Sequence, residues 1–181
     1  CCLEFINLLR EAGLPESWCQ IFVPPDNALA AQFAVDPRVA FLSFIGSARV
    51  GWYLRSKLPP GTRCALEHGG AAPVIVDRSA NLDKVIEPIV KGGYYHAGQV
   101  CVSVQRIFVH KDILEGFIDR LAARVAELRV GDPLLRETEV GPLILPHETD
   151  RVTSWIEEAV ASGARLIGGG RLSSTTLKPA I

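Results

Sequence analysis

The sequence contains no methionine, at its start or anywhere else. Residue 1 already stands almost inside an amphipathic segment, as expected of a piece cut from a longer chain. The start also lacks the basic region and apolar stretch of a secretory signal. No apolar run approaches the roughly 20 residues that a membrane span requires. Neither sign of charge dominates, with 19 Lys and Arg against 20 Asp and Glu. That balance gives no basic stripe for nucleic acid and no acidic run of the kind found in disordered tails. CxxC spacing is missing, and the five cysteines, Cys1, Cys2, Cys19, Cys64 and Cys101, are odd in number and scattered. A disulfide framework and a cysteine-based metal site are therefore not expected, and the thiols point to a reducing compartment, the cytosol.

What is present suits a packed α/β protein. Of 181 residues, 48% are hydrophobic, enough to bury a real core. Leu3, Phe5, Ile6, Leu8 and Leu9 lie on a helical stripe that closes at Ala12-Gly13, with Pro15 just beyond. Cys19–Val23 is a short strand candidate, and Asp26 or Asn27 can cap a helix through Ala34. Val39–Ile45 is nearly continuous apolar sequence, as expected for a strand buried on both faces of a parallel sheet. A helix from about Ala48 to Leu58 and a strand from Arg63 to Leu66 follow.

The alternation then restarts. Pro73–Val76 reads as a strand, and a helix capped by Ser79 or Asn81 runs up to Gly92-Gly93. Arg106–His110 is a strand, and a longer helix carries Ile113, Phe117, Leu121, Val125 and Leu128 at core spacing. A last helix, near Glu148–Ser162, places Val152, Trp155, Ile156, Ala159 and Val160 on one face, and Arg165–Ile167 heads for another strand. The fold class is α/β with parallel-sheet lobes. The lobe boundary falls at about Glu67 to Ala72, where Gly69-Gly70 interrupts the pattern.

Three places could carry chemistry. Gly46-Ser47-Ala48-Arg49-Val50-Gly51 lies between a buried strand and a helix. Free N–H groups and the dipole at that helix start favour an anionic phosphate, Gly46 would let a ligand approach the main chain, and Ser47 can donate or cap. A tight turn with a serine cap explains the same residues. Glu67 ends an apolar strand, at the edge where open α/β sheets bind ligands. Partial burial there would fit it to take a proton from water; a solvated strand-end carboxylate is the alternative. Cys101 follows the turn His96-Ala97-Gly98-Gln99-Val100 and precedes an apolar run. Thiolate is the reactive form, and main-chain N–H groups or a helix start nearby would favour it; a small buried core residue is the other reading. His96 lies close enough in sequence to be an imidazole partner, but no third group to orient it can be named. A non-catalytic α/β module and a thiol esterase without redox chemistry both remain open on these residues alone.

Phe44-Ile45-Gly46-Ser47-Ala48-Arg49-Val50-Gly51, Leu66-Glu67-His68-Gly69-Gly70 and Gly98-Gln99-Val100-Cys101 together resemble the aldehyde dehydrogenase superfamily. Val130-Gly131-Asp132-Pro133 and Val140-Gly141-Pro142-Leu143 continue the resemblance in the same order, which runs from about Leu3 to Ile181. The resemblance implies that residues 1–67 are the C-terminal part of a Rossmann-like NAD(P)-binding domain and 68–181 the N-terminal part of an α/β catalytic domain. By position it makes Cys101 the nucleophile, Glu67 the general base, and Gly46 to Gly51 (Gly46, Ser47, Ala48, Arg49, Val50, Gly51) the cofactor-phosphate segment. The implied reaction is attack of the thiolate on a small-molecule aldehyde, hydride transfer to NAD or NADP, and hydrolysis of a thioester by water that Glu67 activates. Glu67 and Cys101 are both expected at loop ends on the same side of their strands.

The sequence departs from the family pattern at His68, where leucine is usual, at His96, where asparagine is common, and at Pro24-Pro25-Asp26, which replaces a glycine-rich turn. These departures point to a branch handling small polar or phosphonate-bearing aldehydes. The family's oxyanion-hole asparagine, ribose-binding lysine strand, nicotinamide-positioning glutamate and oligomerisation arm cannot be located. The chain is thus expected to be a central fragment, inactive by itself, of a parent that is a homo-oligomer.

Overall fold

The computed structural model describes residues 2–181, which fall into two units divided between His68 and Gly69. In the first, the apolar stripe at the start forms α1 (Cys2–Glu11), which stops at Gly13, whose φ of 92° suits a residue without a side chain. Asp26 caps α2 (Asn27–Ala34) by accepting the Leu29 N–H at 2.8 Å. Strand β1 (Phe41–Ile45) leads through Gly46-Ser47 into α3 (Ala48–Lys57), and β2 (Arg63–Glu67) returns parallel to β1, with Ile45 opposite Glu67.

Two expectations for this unit are corrected. Cys19–Val23 is extended at Cys19 (φ −144°, ψ 112°), yet no strand among the described residues pairs with it. Apolar, extended sequence becomes a strand only with a ladder partner, and here Phe22 packs edge-on against Phe33 of α2 instead, with ring centroids 4.9 Å apart. Strand β1 is not buried on both faces. Leu42 and Phe44 are half-buried, whereas Phe41 is 51% exposed and Ile45 83%. Phe44 faces Gly51 of α3, so the helix covers one face of the pair and leaves the other open.

The second unit repeats the parallel pairing. Strands β3 (Val74–Val76) and β4 (Ile107–Val109) run side by side, joined through α4 (Leu82–Tyr94) and the cysteine loop. Asn81, not Ser79, caps α4; Ser79 donates its hydroxyl to Asp77 instead. Ile86, Ile89 and Val90 of α4 meet Phe117, Leu121 and Val125 of α5 (Leu114–Ala126) and Val76 of β3 in one buried cluster. The spacing i, i+4, i+8 in α5 keeps one face inward. Across the rim the Arg124 guanidinium hydrogen-bonds Glu87 and Glu139, and holds both carboxylates below their ordinary range.

Three further departures occur here. Helix α4 does not stop at Gly92-Gly93 but continues to Tyr94, and the carbonyls of both glycines find partners in the cysteine loop. Helix α6 (Pro146–Ala161) buries Thr149 completely and half-buries Val152 and Ile156 of its apolar face, while Trp155, Ala159 and Val160 are exposed. The Thr149 hydroxyl is within hydrogen-bonding reach of the Pro146 and Ser174 carbonyls, and the Arg151 guanidinium lies over the Trp155 ring at 4.3 Å. The helix is therefore anchored by its polar first turn together with part of its apolar face. Arg165–Ile167 forms no strand. Gly169 and Gly170, with φ of 124° and 136°, turn the chain out of a regular ladder into a short antiparallel pair, β5 (Gly170–Arg171) and β6 (Leu177–Lys178). Among the described residues no helix is long and apolar enough to cross a membrane.

Candidate active site

In the first unit the candidate residues gather at the C-terminal edge of the parallel pair. The Gly46 N–H donates to the Glu67 carbonyl at 3.0 Å, which fixes the β1-to-α3 turn beside the end of β2. Ser47 is the N-cap of α3; its Oγ accepts the Val50 N–H at 3.4 Å, and its carbonyl accepts the Gly51 N–H at 3.0 Å. The N–H groups of Ala48 and Arg49, at the first two helical positions, precede that first intrahelical bond, so helix geometry leaves them without intrahelical acceptors. Ser47 still has a proton to donate, and Arg49 brings a positive charge to the same turn. This set suits an anionic group such as a dinucleotide phosphate.

The glycines of that segment do something else. A Cβ on Gly46 would stand 2.6 Å from the Phe44 ring, so its missing side chain makes room for Phe44 rather than for an approaching ligand. Gly51 is buried in α3, and a Cβ there would stand 2.3 Å from His68 Nε2 and 3.1 Å from Phe44. His68 is thus a packing residue of the α3–β2 contact. Its ring lies 6.1 Å from that of Trp52, and its Nε2 is buried without a hydrogen-bond partner among the described residues. Glu67 is exposed, the solvated strand-end alternative, because it sits at the strand's last position, past the cover that α3 provides.

In the second unit the cysteine loop is a left-handed turn. His96, Ala97 and Gly98 have successive φ values of 50°, 56° and 72°, a conformation that side-chain-bearing residues adopt rarely. Behind it, Ser103 is almost fully buried and donates its hydroxyl to the Gly93 carbonyl at 2.9 Å, while the Val104 N–H donates to Gly92 at 3.0 Å. A Cβ on Gly92 would meet Val104 at 3.1 Å, so the glycine allows this close approach. Gly70 passes against the Cys101 carbonyl, where a Cβ would stand at 2.5 Å. The Cys101 side chain itself is exposed and unpaired. Its place relative to the strand differs from expectation. Glu67 ends β2, whereas Cys101 precedes β4, so the two lie at opposite ends of their own strands. Cys101 is carried on a helix-to-strand connection rather than past a strand end, which accounts for the difference.

The aldehyde dehydrogenase family model matches residues 1–181. The chain belongs to the aldehyde dehydrogenase family. It is 36% identical over its whole length to 3-sulfolactaldehyde dehydrogenase of Priestia megaterium, of which it covers 38%. With betaine aldehyde dehydrogenase of Cereibacter sphaeroides it shares 38% identity over 94% of this chain and 35% of that one. Among solved structures, glyceraldehyde-3-phosphate dehydrogenase of Methanocaldococcus jannaschii, complexed with NADP, superposes with a TM-score of 0.92 at 32% identity, over 99% of this chain and 40% of that one. The chain thus spans well under half the length of the aldehyde dehydrogenases it matches. Ser103 and Gln99, which brace the aldehyde dehydrogenase cysteine loop here, were not singled out by sequence reasoning. A polar residue two positions from a candidate nucleophile was the available signal.

Proposed function

We propose that the protein carrying this chain oxidises a small polar aldehyde to a carboxylic acid with NAD or NADP, using Cys101 as nucleophile and Glu67 as general base. The observation that carries the reading is an exposed thiol on a braced left-handed loop, in a chain that matches the aldehyde dehydrogenase family from end to end. Residues 1–67 then belong to the cofactor domain and 68–181 to the catalytic domain. Ser47 and the N–H groups of Ala48 and Arg49 would hold the cofactor phosphate, with Gly46 and Gly51 setting the turn and helix that present them, and Val50 closing the cap. The small polar substrate class is supported by the names of the relatives, which act on 3-sulfolactaldehyde and betaine aldehyde. In the same reading the whole protein is a cytosolic homo-oligomer.

The Cys101 thiolate adds to the aldehyde carbonyl carbon, and the electron pair of the C=O bond moves to oxygen. The Cys101 N–H helps hold the resulting oxyanion, an interaction worth about 3–4 kcal/mol where such donors have been removed. A bound nicotinamide dinucleotide supplies a two-electron hydride acceptor. The oxidised adduct on Cys101 is a thioester. Glu67 takes a proton from water, the water oxygen attacks the thioester carbonyl, and the Cys101 thiolate leaves as the carboxylic acid departs.

Cys101→Ser in the whole protein should abolish aldehyde-dependent dinucleotide reduction, while Glu67→Gln should leave a first burst of reduction and stop turnover. Undiminished steady-state turnover by the serine variant sinks the assignment. The 181 residues alone are expected to be inactive, which a direct turnover assay of the isolated chain checks.

A further inference from the structure

We infer that Gln99 is a positioning residue for Cys101, acting as a clasp that holds the left-handed loop against the segment around Ile144; the inference rests on the reading of Cys101 as nucleophile. Its side-chain amide is used at both ends. Nε2 donates to the His96 carbonyl at 3.0 Å and reaches the Pro142 carbonyl at 3.5 Å, while Oε1 accepts the Ile144 N–H at 3.0 Å. The orientation of the amide is fixed by chemistry, since a main-chain N–H requires the oxygen and two carbonyls require the nitrogen.

These bonds fall where the main chain needs them. His96 and Ala97 carry side chains at φ of 50° and 56°, a conformation that persists only where the surrounding structure over-determines it. The His96 carbonyl accepts both the main-chain N–H of Gln99, at 3.1 Å, and the Gln99 side chain. The same amide reaches residues 43 and 45 positions further on. Gln99 therefore ties the strained turn to a distant segment from a point two residues before the thiol. Releasing it lets the turn relax toward ordinary φ values, and the direction of Sγ and of the Cys101 N–H relaxes with it. Misplacement of about 1 Å at a reacting group can cost a hundredfold in rate.

Three variants in the whole protein test this. Gln99→Ala removes every bond of the clasp. Gln99→Glu keeps an acceptor for Ile144 but sets a carboxylate against the His96 and Pro142 carbonyls. Gln99→Asn keeps the chemistry one methylene short. For alanine and glutamate, kcat should fall about ten- to a hundredfold with KM for the dinucleotide unchanged, and asparagine should recover part of the loss. Amide exchange on the whole protein gives a readout independent of turnover. The Ile144 N–H should lose protection in the alanine variant and keep it in the glutamate variant. Full kcat in Gln99→Ala beside a dead Cys101→Ser overturns the clasp and leaves the nucleophile standing. An active Cys101→Ser overturns the reading beneath it. A parallel fall in dinucleotide affinity reduces Gln99 to a structural role and also overturns the inference. Should the alanine variant not fold, the glutamate variant decides on the same criteria.

Discussion

The two units share one plan, a parallel strand pair with a helix between, and bury it to very different depths. In the first, the buried apolar side chains are Ile6, Ala34 and Leu54, one on each of three helices. In the second, Val76, Ile86, Ile89, Val90, Phe117, Leu121 and Val125 form one cluster. The first unit leaves Leu3, Phe5, Leu8, Phe41 and Ile45 exposed, so its pattern of apolar residues exceeds what its own elements cover. The difference teaches that the same alternation of strand and helix can supply either a self-sufficient core or a scaffold with an open face. It also divides the chemistry. The candidate phosphate-binding turn sits on the open scaffold, and the candidate nucleophile sits on the packed one. Opening fluctuations are expected first where buried apolar contact is sparse.

That comparison can be broken in three ways. Phe117→Ala should cost about 3–5 kcal/mol, by loss of transfer energy and the cavity left behind, and urea unfolding of the 181-residue chain would measure it. Leu54→Ala should cost about 2 kcal/mol, the low end of such truncations, because Leu54 lies outside the buried cluster. Equal costs would show that the first unit has a core as cooperative as the second. Gly51→Ala is the next test. A methyl group 2.3 Å from His68 Nε2 forces the ring or the helix to move, for about 1–3 kcal/mol of overpacking. Adding His68→Ala should recover most of that loss, and a double variant no better than Gly51→Ala would show that Phe44, not His68, is the obstacle.

The smallest effect concerns Tyr94. Its hydroxyl donates to the Ala180 carbonyl at 2.8 Å, and burial pushes its ionisation up to about 12 from the ordinary 10. A raised value means that the protonated phenol is the form the fold favours. The contribution is complete below about pH 10 and is lost as pH rises through about 12. Tyr94→Phe should cost about 1 kcal/mol at neutral pH and flatten the fall in stability between those values. An unchanged alkaline slope in the phenylalanine variant would assign the fall to other groups.

Much of the architecture was legible because it is local. The Asp26 and Asn81 caps, the stop at Gly13 and the i, i+4 stripe of α5 each depend on neighbours in sequence, and the structure has them. What failed was non-local. Cys19–Val23 had strand composition but no partner among the described residues, and β1 had the apolar run of a doubly covered strand but one helix to cover it. The site shows the same division. Ser47 as a cap could be read from its place before a helix, and it is one. The packing duties of Gly46 and Gly51 could not, since they depend on where the Phe44 and His68 rings come to rest. The clasp made by Gln99 could not be read, since the Pro142 and Ile144 groups it bonds are 43 and 45 residues away.

The carbonyls at the end of α4 are satisfied by the very loop that bears Cys101, through the Ser103 hydroxyl and the Val104 N–H. Helix end and loop are accordingly a single module. A designer wishing to graft this thiol presentation onto another scaffold would have to carry Gly92 and Gly93 along with it. Redesign of the loop for other substrates is better directed at side chains facing outward from the module than at the glycine-lined seam inside it.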